Sequence, residues 1–399
     1  MLASSPHPTL KLSEQGLQAV PDADLLRAYW VYAFVAKPWL VDMGSKVGAW
    51  SVNNLGPAKW AVKKTIFAQF CGGESVEACA GTSARLAQSG IHTILDYSVE
   101  GASDDATFDA TVNELERTIY QAAQSKDIAF SVFKVSGIGR TEALEAASKY
   151  PQLALANPEA AQIAMRVDRL CRLAHSQNVR IFIDAEETWI QPFIDFLAIE
   201  AMKAYNQERP IVFNTYQLYL ADGLARLQQQ AEDVFAAGAQ FGAKLVRGAY
   251  MEKEGAKAAA NGWANPINPS KEATDALFDK AAQWCLQHID KAAFCLGTHN
   301  AQSCQLMIDQ MEAQSLPKDD ARIWFAQLLG MSDNLSYPLA KAGYNVAKYV
   351  PYGPVKEVIP YLIRRAQENT TVAGQSGREL KLIQQEVARR KLNPMRFFF

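Results

Sequence analysis

From residue 91 onward the chain alternates short apolar runs of strand length with longer segments of helical period, and this alternation constrains the fold more than any other feature. The runs are 91–97 (IHTILDY), 128–135 (IAFSVFKV), 179–184 (VRIFID), 211–216 (IVFNTY), 243–248 (AKLVRG), 292–297 (AAFCLG), 323–328 (IWFAQL) and 345–350 (NVAKYV). Separations of roughly 20 to 50 residues leave room for a helix in every crossover, as repeated βαβ units require. Eight such units in succession predict an α/β chain closed into a (β/α)8 barrel rather than an open doubly wound sheet. No GxGxxG follows the first run and no GxxxxGK[ST] occurs, so neither the dinucleotide fingerprint nor a P-loop is present.

The flanks read differently. Residues 21–87 are rich in Trp, Tyr, Phe, Leu and Ala and are broken at Pro38, Gly56-Pro57 and Gly72-Gly73, which predicts several short amphipathic helices. The expected division is a helical arm over 1–87, the barrel over 88–372, and a C-terminal helix and tail over 373–399. Within the arm, Leu25 to Met43 is unusually apolar but interrupted by Arg27, Lys37 and Pro38, so a helix docked on the barrel is the plainer reading and a membrane-surface helix the other. A formal charge of -2 excludes the broad basic field that nucleic-acid binders use. Six cysteines without CxxC spacing read as buried reduced thiols, not as a disulfide framework or a zinc site. Met1 to Val20 has neither a basic n-region nor an apolar h-region, and no run approaches ~18 apolar residues, so a soluble cytoplasmic protein with no cleaved signal is expected.

In a barrel of this kind chemistry gathers at the C-terminal ends of the strands. Lys134, Asp184, Tyr216-Gln217, Lys244, Arg247, Thr298-His299 and Tyr349 all fall at or near such ends. Each alone is as readily a structural ion pair or a satisfied core histidine; pointed at one mouth, they could form a network neutralised by a small zwitterion. Past the last run, a helical 361–369 would place Tyr361, Arg364, Arg365 and Glu368 on one stripe, as a lid over that mouth. Adjacent guanidiniums repel unless an anion joins them, which makes the stripe a candidate carboxylate or phosphate receptor; a solvated helix face is the plain alternative. No metal-ligand spacing and no nucleophile elbow is present, so a cofactor is expected to carry the chemistry.

FIDAEE (182–187), KLVRGAYMEKE (244–254), GTHN (297–300) and YLIRRAQEN (361–369) together resemble the proline dehydrogenase family, in the family's order, across about residues 90–372. The resemblance implies a distorted (β/α)8 barrel that binds FAD and oxidises L-proline to Δ1-pyrroline-5-carboxylate by hydride transfer, the first step of proline catabolism. It implies that Lys134, Arg364 and Arg365 hold the substrate carboxylate, that Tyr250, Tyr349 and Tyr361 wall the ring, and that Asp184 orders the neighbouring network. Gln217, Val246, Arg247, Gly248, Thr298, His299 and Glu368 resemble flavin contacts, with Gly248 allowing close backbone approach. Lys244 stands where many bacterial relatives have Arg; a cation there stabilises negative charge on the flavin, although the planar fork is lost. Met251 departs from a Trp found in some relatives. Glu100 resembles an acid that closes a gate by pairing with Arg364.

Tyr349 is bulky where hydroxyproline-preferring relatives have a small residue, so proline is the expected substrate and hydroxyproline the alternative. No aldehyde dehydrogenase half follows the barrel, so a monofunctional enzyme is expected. Electrons pass to membrane quinone in this family, which makes Leu25 to Met43 and the tail Arg389 to Phe399 candidates for peripheral contact at the inner face of a membrane. The plainer role for Arg389, Arg390 and Lys391 is to complement their own helix dipole. Two rival readings are a Schiff-base aldolase using Lys134 or Lys244 and a non-catalytic module for an anionic metabolite.

Overall fold

The computed structural model describes residues 12, 16–35, 63–98, 104–355, 357–358, 361–362 and 375–397. Eight parallel strands close into a barrel in sequence order: β1 Ile91–Tyr97, β2 Ile128–Phe133, β3 Arg180–Ile183, β4 Val212–Gln217, β5 Phe241–Val246, β6 Ala292–Gly297, β7 Ile323–Leu328 and β8 Val346–Tyr352. Closure is by β1 on β8, in register from Ile91 opposite Val346 to Tyr97 opposite Tyr352. The (β/α)8 expectation is met, with a helix in each crossover.

The described helices are α1 Asp22–Val35, α2 Ala80–Ala87, α3 Asp105–Ala123, α4 Thr141–Ser148, α5 Pro158–Ser176 and α6 Gln191–Tyr205. They continue with α7 Gly223–Ala236, α8 Met251–Asn261, α9 Lys271–Gln287, α10 Ala301–Ala313, α11 Asp333–Lys341 and α12 Gln375–Arg389. Local chemistry sets their starts. Asp104 and Thr107 form a reciprocal capping box on α3, and Asn157 followed by Pro158 caps α5. Their buried faces, Phe108, Val112, Leu115 and Ile119 on α3 and Ile163, Val167, Leu170 and Ala174 on α5, follow helical spacing and cover the strands.

Two apolar layers result. Outward strand residues such as Ala243, Leu245, Val346 and Val350 join the main core under the helices. Inward residues Ile94, Phe130, Val132, Phe182, Phe213, Cys295, Trp324, Ala326 and Ala347 fill the lumen. Phe130 stacks on Phe182 at 4.3 Å while Phe213 meets both rings edge-on, so the lumen is a packed core rather than a pore. Arg180 closes the N-terminal end over the rings of Phe130 and Trp324. All six cysteines are free and buried, as expected.

The arm packs against the C-terminal helix and tail. Trp30 on α1 donates to Pro394 O at 2.8 Å, and Arg390 donates to the carbonyls of Leu17 and Val20 at 2.7 Å. Of the Leu25 to Met43 segment, residues through 35 form α1 and the rest lies outside the described residues. The capping stripe with Arg364, Arg365 and Glu368 also lies outside them, as does Glu100. Among the described residues no helix is long and apolar enough to cross a membrane.

Candidate active site

Strand alternation decides which side chains reach the mouth. With Phe130 and Val132 facing the lumen, the next inward position on β2 is Lys134, still extended at φ -106 and ψ 139 although the ladder ends one residue earlier. The same count from Phe182 puts Asp184 inside, and from Ile94 it puts Asp96 inside. On β5 Lys244 lies between outward Ala243 and Leu245, and on β8 Tyr349 lies beside Val350 and two residues beyond inward Ala347. The sequence therefore delivers two cations, two carboxylates and a phenol to one end of the lumen.

They are bonded to each other. The Lys244 ammonium is paired with Asp184 Oδ1, donates to the Tyr349 hydroxyl at 3.1 Å, and lies 5.1 Å and 4.8 Å from the ring centres of Phe182 and Tyr349. Tyr349 donates its own proton to Asp184, with 3.0 Å to each carboxylate oxygen. Burial first, then the Asp184 and Asp96 charges and the hydrogen bond to Asp184, push the Tyr349 phenol well above its ordinary value. It therefore stays a donor at neutral pH.

Lys134 is different: among the described residues its ammonium has no hydrogen-bond partner, and the charges near it are those of Asp96 and Glu186. Both acids are buried. Burial raises Asp96, opposed first by the Lys134 charge, and Ser98 donates to it at 2.7 Å. Burial likewise raises Glu186, opposed by donation from the Ser136 hydroxyl and from its N–H at 2.9 Å. Sequence reading passed over both acids. The signal for Asp96 was a carboxyl at a lumen position of an apolar strand, and for Glu186 its place in FIDAEE.

The expected flavin contacts divide. Gln217 is buried at the end of β4 and donates to Glu186 O at 2.7 Å, and Val246 ends β5. Thr298 and His299 follow β6, where Gln327 Nε2 donates to Thr298 O at 3.2 Å. Arg247 points to the outer wall: it donates to Asp275 and Thr298 at 2.6 Å and to Ser303 at 3.0 Å, above the Phe278 ring. Gly248 has φ +128, and a Cβ there would lie 1.5 Å from the Tyr219 ring, so the packing of Tyr219 already requires glycine. Tyr250 is the N-cap residue just before α8, with Lys253 over its ring. Tyr361 is buried in a satellite cluster with Val31, Phe67, Phe70 and Met331, between arm and barrel.

The residues present suit a flavin by their chemistry: a buried cation, Lys244, stands at a wall of polar side chains and strand termini where negative charge would develop. A family profile described as proline dehydrogenase matches residues 79–378. The chain is 43% identical over 232 residues to the human protein named proline dehydrogenase 1, mitochondrial, covering 57% of this chain and 39% of that protein. It is 32% identical to a protein of the same name from Arabidopsis thaliana, covering 96% and 87% of the two. It is 35% identical to the carbapenem antibiotics biosynthesis protein CarD of Pectobacterium carotovorum subsp. carotovorum, covering 82% and 85%. Among solved structures, proline utilization A from Bdellovibrio bacteriovorus superposes with a TM-score of 0.71 at 18% identity, over 91% of this chain and 40% of that one, a likeness of fold.

Proposed function

We propose, from the premise that this chain belongs to the proline dehydrogenase family, that it oxidises L-proline to Δ1-pyrroline-5-carboxylate at the C-terminal mouth of the barrel, with FAD as cofactor and membrane quinone as the final electron acceptor. One observation carries the reading: of two lysines facing the same mouth, Lys244 is paired with Asp184 while the Lys134 ammonium has no hydrogen-bond partner among the described residues. Lys134 is thus placed to take an anion. With Arg364 and Arg365, assigned from their motif, it would hold the substrate carboxylate. Glu100, assigned in the same way, would pair with Arg364 when substrate is absent.

FAD, when bound, supplies the two-electron acceptor that no side chain here provides, and Gln217, Lys244, Val246, Thr298, His299 and Glu368 are the residues that would hold it. The chain's own contribution is orientation and charge. Tyr349 is held by Asp184 and Lys244, so its ring is a fixed wall whose bulk would favour proline over hydroxyproline. Asp184 accepts from both neighbours and is no free base; the substrate amine gives up its proton to solvent.

The test is the visible spectrum of the purified chain with and without proline. Flavin absorption that bleaches on anaerobic addition of proline is expected, with a lower kcat/KM for hydroxyproline. Colourless protein that reduces no dye with proline overturns the reading. Arg364→Met should raise the KM for proline roughly 10- to 100-fold, the loss of a charged hydrogen bond at about 1.5–3 kcal/mol.

A further inference from the structure

A second buried polar assembly lies behind the mouth, on the outer wall, where the loop after β7 meets α12. Ser332 is 2% exposed and has left-handed backbone, φ 50 and ψ 42, a conformation that glycine adopts without strain. Its N–H donates to Glu379 Oε1 at 3.1 Å. Its hydroxyl lies 3.3 Å from the same oxygen and 2.9 Å from His299 Nδ1. Glu379 is 8% exposed and comes from α12, far along the chain from the β6 loop that carries His299.

A hydroxyl has one proton to give. An ionised Glu379 can only accept, so the Ser332 proton goes to it. The hydroxyl oxygen must then accept from His299, which places the imidazole proton on Nδ1. The imidazole nitrogen left without a proton, Nε2, is the acceptor in the neutral ring. Burial, and then the Asp333 charge, raise the Glu379 carboxyl, while Lys348 and the two Ser332 bonds hold it down. Lys348 is itself paired with Asp333 at 2.8 Å, so the assembly contains its own counter-charge.

We infer that Glu379 is a positioning residue for the cofactor site: acting through Ser332, it fixes His299 as the Nδ1–H tautomer and so sets which hydrogen-bonding character the ring presents to the flavin. This rests on the reading that His299 meets FAD. The relay itself can be tested without the cofactor.

The full-length chain, labelled with 15N-histidine, reports the ring tautomer by NMR, and His299 is identified among the five histidines by its loss in His299→Asn. Wild type should show Nδ1–H. Glu379→Leu and Ser332→Ala should lose that single tautomer and bind FAD about tenfold more weakly by flavin fluorescence, the fold-change one hydrogen bond carries. Glu379→Gln should retain both properties, because its amide oxygen still accepts from Ser332. Ser332→Ala keeps the backbone bond to Glu379 and remains the informative variant should Glu379→Leu not fold. A wild-type ring protonated on Nε2, or an unchanged Nδ1–H ring in folded Ser332→Ala, overturns the relay. Nδ1–H in wild type, lost in the variants, with FAD bound by none of them, supports the relay and overturns the cofactor reading instead.

Discussion

Lys244 and Lys348 are lysines on barrel strands, 5% and 0% exposed, and they face opposite sides of one wall. Lys348 shares the outward face with Val346 and Val350. Its three donors meet Asp333 at 2.8 Å, Leu328 O at 3.3 Å and the carbonyl of Met331, an arrangement in which two of three acceptors are backbone and cannot turn away. Lys244 meets only side chains, Asp184 and Tyr349, over two aromatic faces. Side chains at an open mouth can be approached by a ligand; backbone carbonyls inside a wall cannot. The kind of acceptor, more than the degree of burial, separates the structural cation Lys348 from Lys244, the one proposed to serve the cofactor.

The largest expected effect is on stability. Lys348→Met leaves Asp333 without its buried partner and should cost ~3–5 kcal/mol in urea unfolding at unchanged m. A cost similar to that of Lys244→Met would erase the distinction between the two lysines. Next comes Lys244→Met, expected to slow proline-dependent flavin reduction by ~10²–10³-fold, the range for removing one preorganised electrostatic donor. It should cost less stability than Lys348→Met, because Asp184 keeps the Tyr349 hydroxyl. Stopped-flow reduction beside urea melts of both variants separates these outcomes.

The same contrast shows what could be read in advance. β1, β6 and β7 coincide with the apolar runs, since each is bounded by polar or turn residues, and the inward face of Lys244 follows from alternation with Ala243 and Leu245. The β2 run reads two residues too long: its apolar pattern continues to Val135, but the backbone leaves the ladder after Phe133 and turns into a single 3-10 turn. The β5 run reads two residues late, because Phe241 and Gly242 already pair with Ala292 and Ala293. Lys348 was hidden because its partners stand at no periodic spacing from it. Asp96 and Glu186 were hidden because the cation near them, Lys134, follows the neighbouring strand β2 at no fixed spacing in the sequence. Gly248 was recognised as special, but Tyr219, the neighbour that requires it, comes from another strand's loop.

The smallest expected effect lies on α12, where Glu386 is itself buried but its partner Arg389 is open to solvent. Glu386 accepts from Arg389 at 2.7 and 2.8 Å and from Arg390 at 2.8 Å, and Arg390 ties the helix to Asp22 and to the Leu17 and Val20 carbonyls of the arm. The Arg389 hydrogen bonds first, and then those from Arg390, draw the Glu386 carboxyl down to about 2. A carboxyl depressed in the folded chain stabilises it above the unfolded value, ~4.3, and loses that contribution as pH falls towards 2. Because water and salt reach the Arg389 side of the clasp and screen it, Glu386→Gln should lower Tm by only on the order of 1 °C at pH 7. That gap should narrow in 1 M salt and close as the pH approaches 2. A gap that survives at pH 2 would assign the Arg389–Glu386–Arg390 clasp to hydrogen bonding independent of charge, and would place it with Lys348 among the structural contacts instead of with the screened surface.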